Sequence, residues 1–158
     1  MDLHSEGITH YFSGEVRPVH LHARRLILDE IRRLGGDDFV LGATDAGRAK
    51  WVESLANDLG VEAAFILKRR LDDGSTRVTA LAADVRDRKV VVYDDLIRTG
   101  GSLKGAARAY LDEGATSVSA VATHGVLPGD SLHDLLGSGL FSEIVPPRTT
   151  TSRSMHSV

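Results

Sequence analysis

The stretch VVVYDDLIRTGGSL, residues 90–103, contains the pattern that decides the fold. An apolar run ends in two adjacent acids, Asp94 and Asp95, and a Thr-Gly-Gly-Ser turn separates them from a segment with helical periodicity. Continuous apolar runs of this length are typical of strands that are buried on both faces of a parallel sheet. The order of strand, acids, turn and helix therefore predicts a βα unit whose polar residues lie at the carboxyl end of the strand.

The same alternation extends along the chain. Strands are predicted over residues 39–43, 63–67, 78–82, 89–93, 118–122 and 142–145. Three segments with an apolar helical face end at Gly35-Gly36, Gly60 and Gly114, and a shorter helix is predicted over residues 131–136. This pattern is typical of an α/β fold with an open, mostly parallel sheet and helices on both faces.

Two segments depart from the alternation. KRRLDDGSTRV, residues 68–78, is highly charged and contains Asp-Asp-Gly-Ser, so it predicts a loop or a hairpin between two strands. PPRTTTSRSMHSV, residues 146–158, has no periodicity and reads as an irregular tail. We therefore expect one domain over residues 1–145, followed by the tail.

Composition excludes several classes of protein. The 158 residues include no cysteine, so disulfides, thiolate nucleophiles and cysteine-bound metals are ruled out. A net charge of −3 gives no bias toward nucleic acid or anionic membranes, and no apolar run approaches the roughly 18 residues of a membrane span. We expect a cytoplasmic protein that binds neither nucleic acid nor membrane.

The residues that follow the acids suit a phosphate. Gly100 and Gly101 would let the backbone approach an anion closely, Thr99 and Ser102 add hydroxyl donors, and a helix N-terminus presents unpaired N–H groups. The acids would repel a phosphate, but they can accept hydrogen bonds from sugar hydroxyls or pair with a cation. The stretch therefore predicts a site for a phosphorylated sugar. The alternative is an ordinary βα turn with solvated acids and glycines that ease a tight bend.

Five segments together resemble a known family. VVVYDDLIRTGGSL is similar to the phosphoribosyl-diphosphate loop of type I phosphoribosyltransferases, a superfamily that includes the ribose-phosphate diphosphokinases. MDLHSEGITHYF (residues 1–12), ATDAGRAK (43–50), AFILKRR (64–70) and AVATHGVLPGD (120–130) resemble the C-terminal half of those diphosphokinases, in the same order. The resemblance implies transfer of a diphosphoryl group from Mg-ATP to ribose 5-phosphate, giving phosphoribosyl diphosphate and AMP, by a homo-oligomer in nucleotide biosynthesis.

The resemblance also assigns roles to particular residues. It places the ribose hydroxyls on Asp94 and Asp95, and the 5-phosphate on Thr99, Gly100, Gly101 and Ser102. Lys68 and Arg70 fall where the family has basic residues on a catalytic loop, and cations facing the transferred group suit phosphoryl transfer. His4 and Asp45 match positions near the Mg²⁺ cofactor. These assignments are expectations about this chain.

Two substitutions and the length depart from the family pattern. Arg98 stands where an acid is usual, and Arg48 replaces a small residue. The chain also lacks a counterpart to the N-terminal half of the diphosphokinases. Two alternatives therefore stay open, namely a phosphoribosyltransferase acting on a nucleobase and a non-catalytic regulatory subunit that binds phosphoribosyl diphosphate.

Overall fold

A computed structural model describes residues 6–12, 14, 16–70 and 76–145 of the chain. Within these residues six strands form one sheet: β1 (Phe39–Ala43), β2 (Glu62–Arg70), β3 (Thr76–Ala82), β4 (Lys89–Ile97), β5 (Ser117–Gly125) and β6 (Glu143–Val145). The helices are α1 (Arg24–Gly35), α2 (Ala49–Leu59), α3 (Gly101–Asp112) and α4 (Ser131–Leu136), with 3-10 turns at Glu6–Tyr11 and Ala46–Arg48. The strand order is β3-β2-β1-β4-β5-β6, and only the β2–β3 pairing is antiparallel.

Helices cover both faces of this sheet. On one face α1 and α2 pack over Val91 and Tyr93 of β4, and on the other α3 and α4 pack over Val90 and Val92. Because successive residues of a strand point to opposite faces, β4 must be apolar at every one of these positions. The predicted fold class, an open and mostly parallel sheet with helices on both faces, is confirmed.

The predicted elements are all present, and most differences lie at strand ends. Strand β1 and helix α4 have the predicted bounds, and residues 68–78 contribute to a β-hairpin whose residues 71–75 lie outside the described part of the chain. The tail over residues 146–158 also lies outside it, so the domain division stays a prediction. No helix in the described ranges is long and apolar enough to cross a membrane.

The predicted carboxyl end of β4 is wrong, and this difference affects the site. Strand β4 was expected to end at Tyr93, but it continues to Ile97, so that Asp94 and Asp95 belong to the strand. It pairs with β1 only as far as Tyr93, whereas its pairing with β5 continues to Ile97. β1 then connects to β2 on one side and β4 connects to β5 on the other, which makes this the topological switch point where open α/β sheets bind ligands.

Tyr110 connects α3 to the last residue of β1 and to Ala64 in the part of β2 that pairs with β1. Its buried hydroxyl donates toward the carbonyl oxygens of Ala43 at 2.9 Å and Ala64 at 3.1 Å. Burial raises the pKa of Tyr110 well above its usual value, so the phenol keeps the proton that it donates. Gly42 makes room for the ring, because a Cβ atom there would lie 2.8 Å from the Tyr110 ring.

We expect Tyr110→Phe to destabilise the protein by about 1–3 kcal/mol, because it removes the donor to buried carbonyl oxygens without changing the ring. Tyr11→Phe is the matched control, since Tyr11 is 90% exposed. Urea unfolding of both variants measures the difference. Equal stability of the two variants would show that the hydroxyl does not contribute to holding the strand ends.

Candidate functional site

A small pocket forms where β4 leads into α3. Its lining residues all come from one short stretch of sequence: Asp94, Leu96, Ile97, Arg98, Thr99, Gly100, Gly101, Ser102 and Leu103. We call it the loop pocket. Arg98, Thr99, Gly101 and Ser102 are exposed, so their polar groups are accessible to a ligand. The first turn of α3 borders the pocket, and N–H groups at such a position attract anions.

Gly100 is required for the shape of this loop. It adopts a left-handed conformation, with φ of 77°, and a Cβ atom there would lie 2.8 Å from Leu135 of α4. Gly101 differs, because the nearest atom to a Cβ at that position would be the Thr99 hydroxyl at 3.8 Å. Gly100 thus fixes the turn, whereas Gly101 leaves space beside Thr99 that a ligand can use.

A second cleft, the acid cleft, adjoins the loop pocket. It is lined by residues from the segment after β1, the end of β4 and the first turn of α3: Thr44, Asp45, Gly47, Arg48, Asp94, Asp95, Leu96 and Ser102. Three residues, Asp94, Leu96 and Ser102, line both cavities. The structure therefore brings the predicted sugar-binding acids and the predicted phosphate loop together in one continuous site.

The two acids have different surroundings. Burial, reinforced by the neighbouring Asp95 carboxylate, raises the pKa of Asp94 to about 6. The Thr44 hydroxyl and the Leu96 backbone partly oppose this shift by hydrogen bonding to the Asp94 carboxylate. Asp95 is more deeply buried and forms an ion pair with Arg48, with 2.6 Å between Asp95 Oδ2 and Arg48 Nη2.

The turn after β1 holds Asp45 and Arg48 at the cleft. The Asp45 carboxylate accepts a hydrogen bond from the backbone N–H of Gly47 at 2.9 Å and so caps the 3-10 turn Ala46–Arg48. Sequence reasoning noted Arg48 only as a departure and gave Thr44 no role. The available signal was their position directly after a buried strand next to β4, as for Asp45.

The other predicted site residues are Lys68, Arg70 and His4. Ala64 is the last residue of β2 that pairs with β1. Lys68 and Arg70 follow it by four and six residues within β2, so their backbone lies beyond the end of β1. His4 lies outside the described residues. The catalytic role of the first two and the metal role of His4 stay predictions.

A magnesium ion fits this site better at Asp45 than at Asp95. Within the described ranges, no group of three or more His, Asp or Glu side chains could enclose a metal. Mg²⁺, however, is commonly held by one or two carboxylates together with substrate phosphates. Asp45 fits that arrangement, whereas the Asp95 carboxylate already has a guanidinium at 2.6 Å.

Comparison with known proteins identifies similar chains. The phosphoribosyl transferase domain profile matches residues 15–135. Ribose-phosphate pyrophosphokinases of Caulobacter vibrioides and Streptomyces coelicolor are 35% and 36% identical over 92% and 98% of this chain, and the matches cover 46% and 48% of those proteins. The chain therefore spans about half the length of these curated relatives, and its resemblance to ribose-phosphate diphosphokinases is confirmed.

Solved structures agree with this result. The phosphoribosylpyrophosphate synthetase of Mycobacterium smegmatis superposes with a TM-score of 0.71 and 36% identity, over 85% of this chain and 43% of that one. A purine phosphoribosyltransferase of Pyrococcus horikoshii superposes with a TM-score of 0.57 over 82% of this chain and 87% of that one, but it is only 17% identical. The second likeness is evidence for the fold alone.

The raised pKa of Asp94 predicts that ionisation of this acid lowers the stability of the folded protein at higher pH. Between its usual pKa of 3.8 and about 6, the folded protein holds a proton that the unfolded chain has lost, so stability falls as pH rises through this window. The Asp94→Asn variant cannot ionise at this position, so it should unfold at a higher temperature than wild type at pH 8. The expected increase in unfolding temperature is several degrees, because a stability change of about 1 kcal/mol corresponds to roughly 2–4 °C in a protein of this size.

The difference should shrink toward pH 4, because close to the usual pKa of 3.8 a large fraction of the unfolded chains also holds the proton. Thermal unfolding from pH 4 to pH 8 measures it, with Asp29→Asn, which changes an exposed acid on α1, as the control. A pH-independent difference between Asp94→Asn and wild type would contradict the assignment of the raised pKa.

Proposed function

This chain belongs to the phosphoribosyl transferase domain family, and we propose that it binds ribose 5-phosphate or phosphoribosyl diphosphate as the C-terminal half of a ribose-phosphate diphosphokinase. The observation that carries the proposal is the continuity of the loop pocket and the acid cleft, which share Asp94, Leu96 and Ser102. Each cavity suits a different end of one small molecule. A phosphate on one end and hydroxyls on the other is the chemistry of a sugar phosphate.

The 5-phosphate binds in the loop pocket. Backbone N–H groups at the start of α3 and the hydroxyls of Thr99 and Ser102 donate hydrogen bonds to its oxygens. Arg98 is exposed on the same loop and adds positive charge. Gly101 leaves the space beside Thr99 that the phosphate needs.

The ribose hydroxyls bind in the acid cleft. Asp94 and Asp95 follow each other at the switch point, and an ionised carboxylate is a strong acceptor for two vicinal hydroxyls. Hydroxyl donors also favour the charged form of Asp94, so a bound sugar opposes the effect of burial on its pKa. The sugar then lies between the phosphate loop and the turn that holds Asp45.

In the proposed reaction the anomeric hydroxyl oxygen forms a bond to the β-phosphorus of ATP. The bond from that phosphorus to the oxygen that bridges it to the α-phosphorus breaks, AMP leaves with the electron pair on that oxygen, and the hydroxyl proton passes to solvent. Lys68 and Arg70 stabilise the negative charge that spreads over the transferred group. His4 and Asp45 would hold Mg²⁺ together with phosphate oxygens, and the ion would supply positive charge that offsets the charge of ATP.

A second function, a non-catalytic subunit that binds phosphoribosyl diphosphate, is favoured by one observation. The Arg48–Asp95 ion pair occupies part of the acid cleft. Under either function we propose a homo-oligomer, or an assembly with a related chain. The two functions share the ligand and differ in the chemistry.

Binding of ribose 5-phosphate tests what both functions share. Gly101→Val should weaken the binding at least roughly tenfold, since the branched side chain displaces a phosphate held by hydrogen bonds to a charged group worth about 1.5–3 kcal/mol each. Gly105→Val is the matched control, because Gly105 is on the same helix with open space around its Cβ position and does not line the loop pocket. Calorimetry that finds equal affinities for the two variants would place the phosphate elsewhere.

Product analysis separates the functions. With ATP and ribose 5-phosphate we expect AMP release, slower than from a full-length relative because this chain spans about half of such a protein. Undetectable AMP together with intact ribose 5-phosphate binding would favour the non-catalytic subunit. Release of diphosphate from phosphoribosyl diphosphate and a nucleobase would instead show a nucleobase transferase and overturn the proposed reaction.

A further inference from the structure

Arg48 is a cation that the chain itself contributes to the acid cleft. Its Nη2 atom lies 2.6 Å from Asp95 Oδ2, and the Asp95 side chain is only 9% exposed. The Arg48 side chain is 28% exposed and lines the cleft. Its guanidinium therefore contacts a buried carboxylate and at the same time borders the space in which we place the sugar.

The backbone around Arg48 fixes this position. Asp45 caps the preceding 3-10 turn through Gly47, and the Arg48 N–H donates to the Asp45 carbonyl oxygen at 3.4 Å. Helix α2 begins directly afterwards at Ala49. Arg48 is thus held between a capped turn and a helix whose apolar face is buried, which favours one orientation over the cleft.

This arrangement affects where a divalent cation can bind. A metal ion on the Asp95 carboxylate would have to displace the guanidinium or lie within a few ångströms of it, where like charges repel strongly. The guanidinium is always charged at physiological pH, so protonation changes cannot remove it. Asp95 therefore already has a fixed counter-charge.

We propose that Arg48 takes the place of a divalent cation at Asp95, so that the acid cleft binds a ribose phosphate without a metal ion at these acids. The identity of the ligand in the acid cleft rests on the proposed function, whereas the role of Arg48 does not. A metal that enters with the diphosphate of a second substrate would be held at Asp45. Arg48 is in this sense a specificity-determining residue, which makes the sugar-phosphate step independent of metal concentration.

The first experiment uses Mn²⁺ alone, so that no ligand needs to be assumed. Mn²⁺ binding is measured by electron paramagnetic resonance for wild type, Arg48→Ala, Asp95→Asn and the double variant. We expect Arg48→Ala to gain one Mn²⁺ site, which the double variant lacks, whereas Asp95→Asn binds Mn²⁺ as wild type does. Arg48→Lys keeps the charge and should gain no site.

Two results would overturn the inference in this experiment. Loss of an existing Mn²⁺ site in Asp95→Asn would show that Asp95 already binds metal in the presence of Arg48. An Arg48→Ala variant that gains no site would show that the guanidinium does not exclude a metal. Arg48→Lys keeps the comparison informative if Arg48→Ala unfolds, since a metal site gained by the lysine variant would also contradict it.

The second experiment measures ribose 5-phosphate binding with EDTA and with Mg²⁺. Wild type should bind equally in both, whereas Arg48→Ala should bind roughly tenfold more weakly in EDTA, as loss of a charge-assisted contact implies, and regain affinity with Mg²⁺. Wild-type binding that requires Mg²⁺ would overturn this inference alone. No wild-type binding in either condition would count against the proposed function, and the Mn²⁺ result would still decide the role of Arg48.

Discussion

The whole site depends on one difference in strand pairing. Strand β4 keeps its hydrogen bonds to β5 for four residues after its pairing with β1 has ended at Tyr93. Backbone polar groups of these residues would be costly to bury without partners, and β5 provides them on one side. On the other side the turn after β1 leaves room, and this room is the acid cleft. A longer β1 would have filled it with another pair of hydrogen-bonded residues.

The loop after β4 depends on packing from the opposite face. Gly100 takes a left-handed conformation directly against Leu135 of α4, and α3 starts at the next residue. Further along α3, the Tyr110 hydroxyl donates toward the carbonyl oxygens of Ala43, the last residue of β1, and of Ala64 in β2. The loop after β4 and the turn with Asp45 are therefore attached to the same helix, although they follow different strands. Their relative position is set by the core and not by the loops themselves.

Sequence patterns predicted the parts of the structure that are determined locally. The β4–loop–α3 unit was predictable because burial on both faces demands a continuous apolar run, and because Gly-Gly and hydroxyl residues share one short loop. The extent of β4 was not, since Asp94 and Asp95 resemble loop residues and remain in the strand only because β5 continues beside them. The Arg48–Asp95 ion pair joins residues from β4 and from the turn after β1. Their approach requires β1 and β4 to be neighbours, which the order of elements along the chain does not specify.

The electrostatics of the cleft connect its stability to its function. Burial of Asp94 next to a second carboxylate is unfavourable in the absence of a ligand, as the pKa of about 6 indicates. Arg48 offsets this repulsion at Asp95, where the carboxylate is most buried. Asp94, which is more accessible, has weaker compensation from Thr44 and the Leu96 backbone. Hydroxyl donors from a sugar would supply the missing stabilisation at Asp94, whereas a phosphate at the same place would add to the repulsion. The charge distribution therefore favours the proposed orientation of a sugar phosphate, with its hydroxyls at the acids and its phosphate at the start of α3.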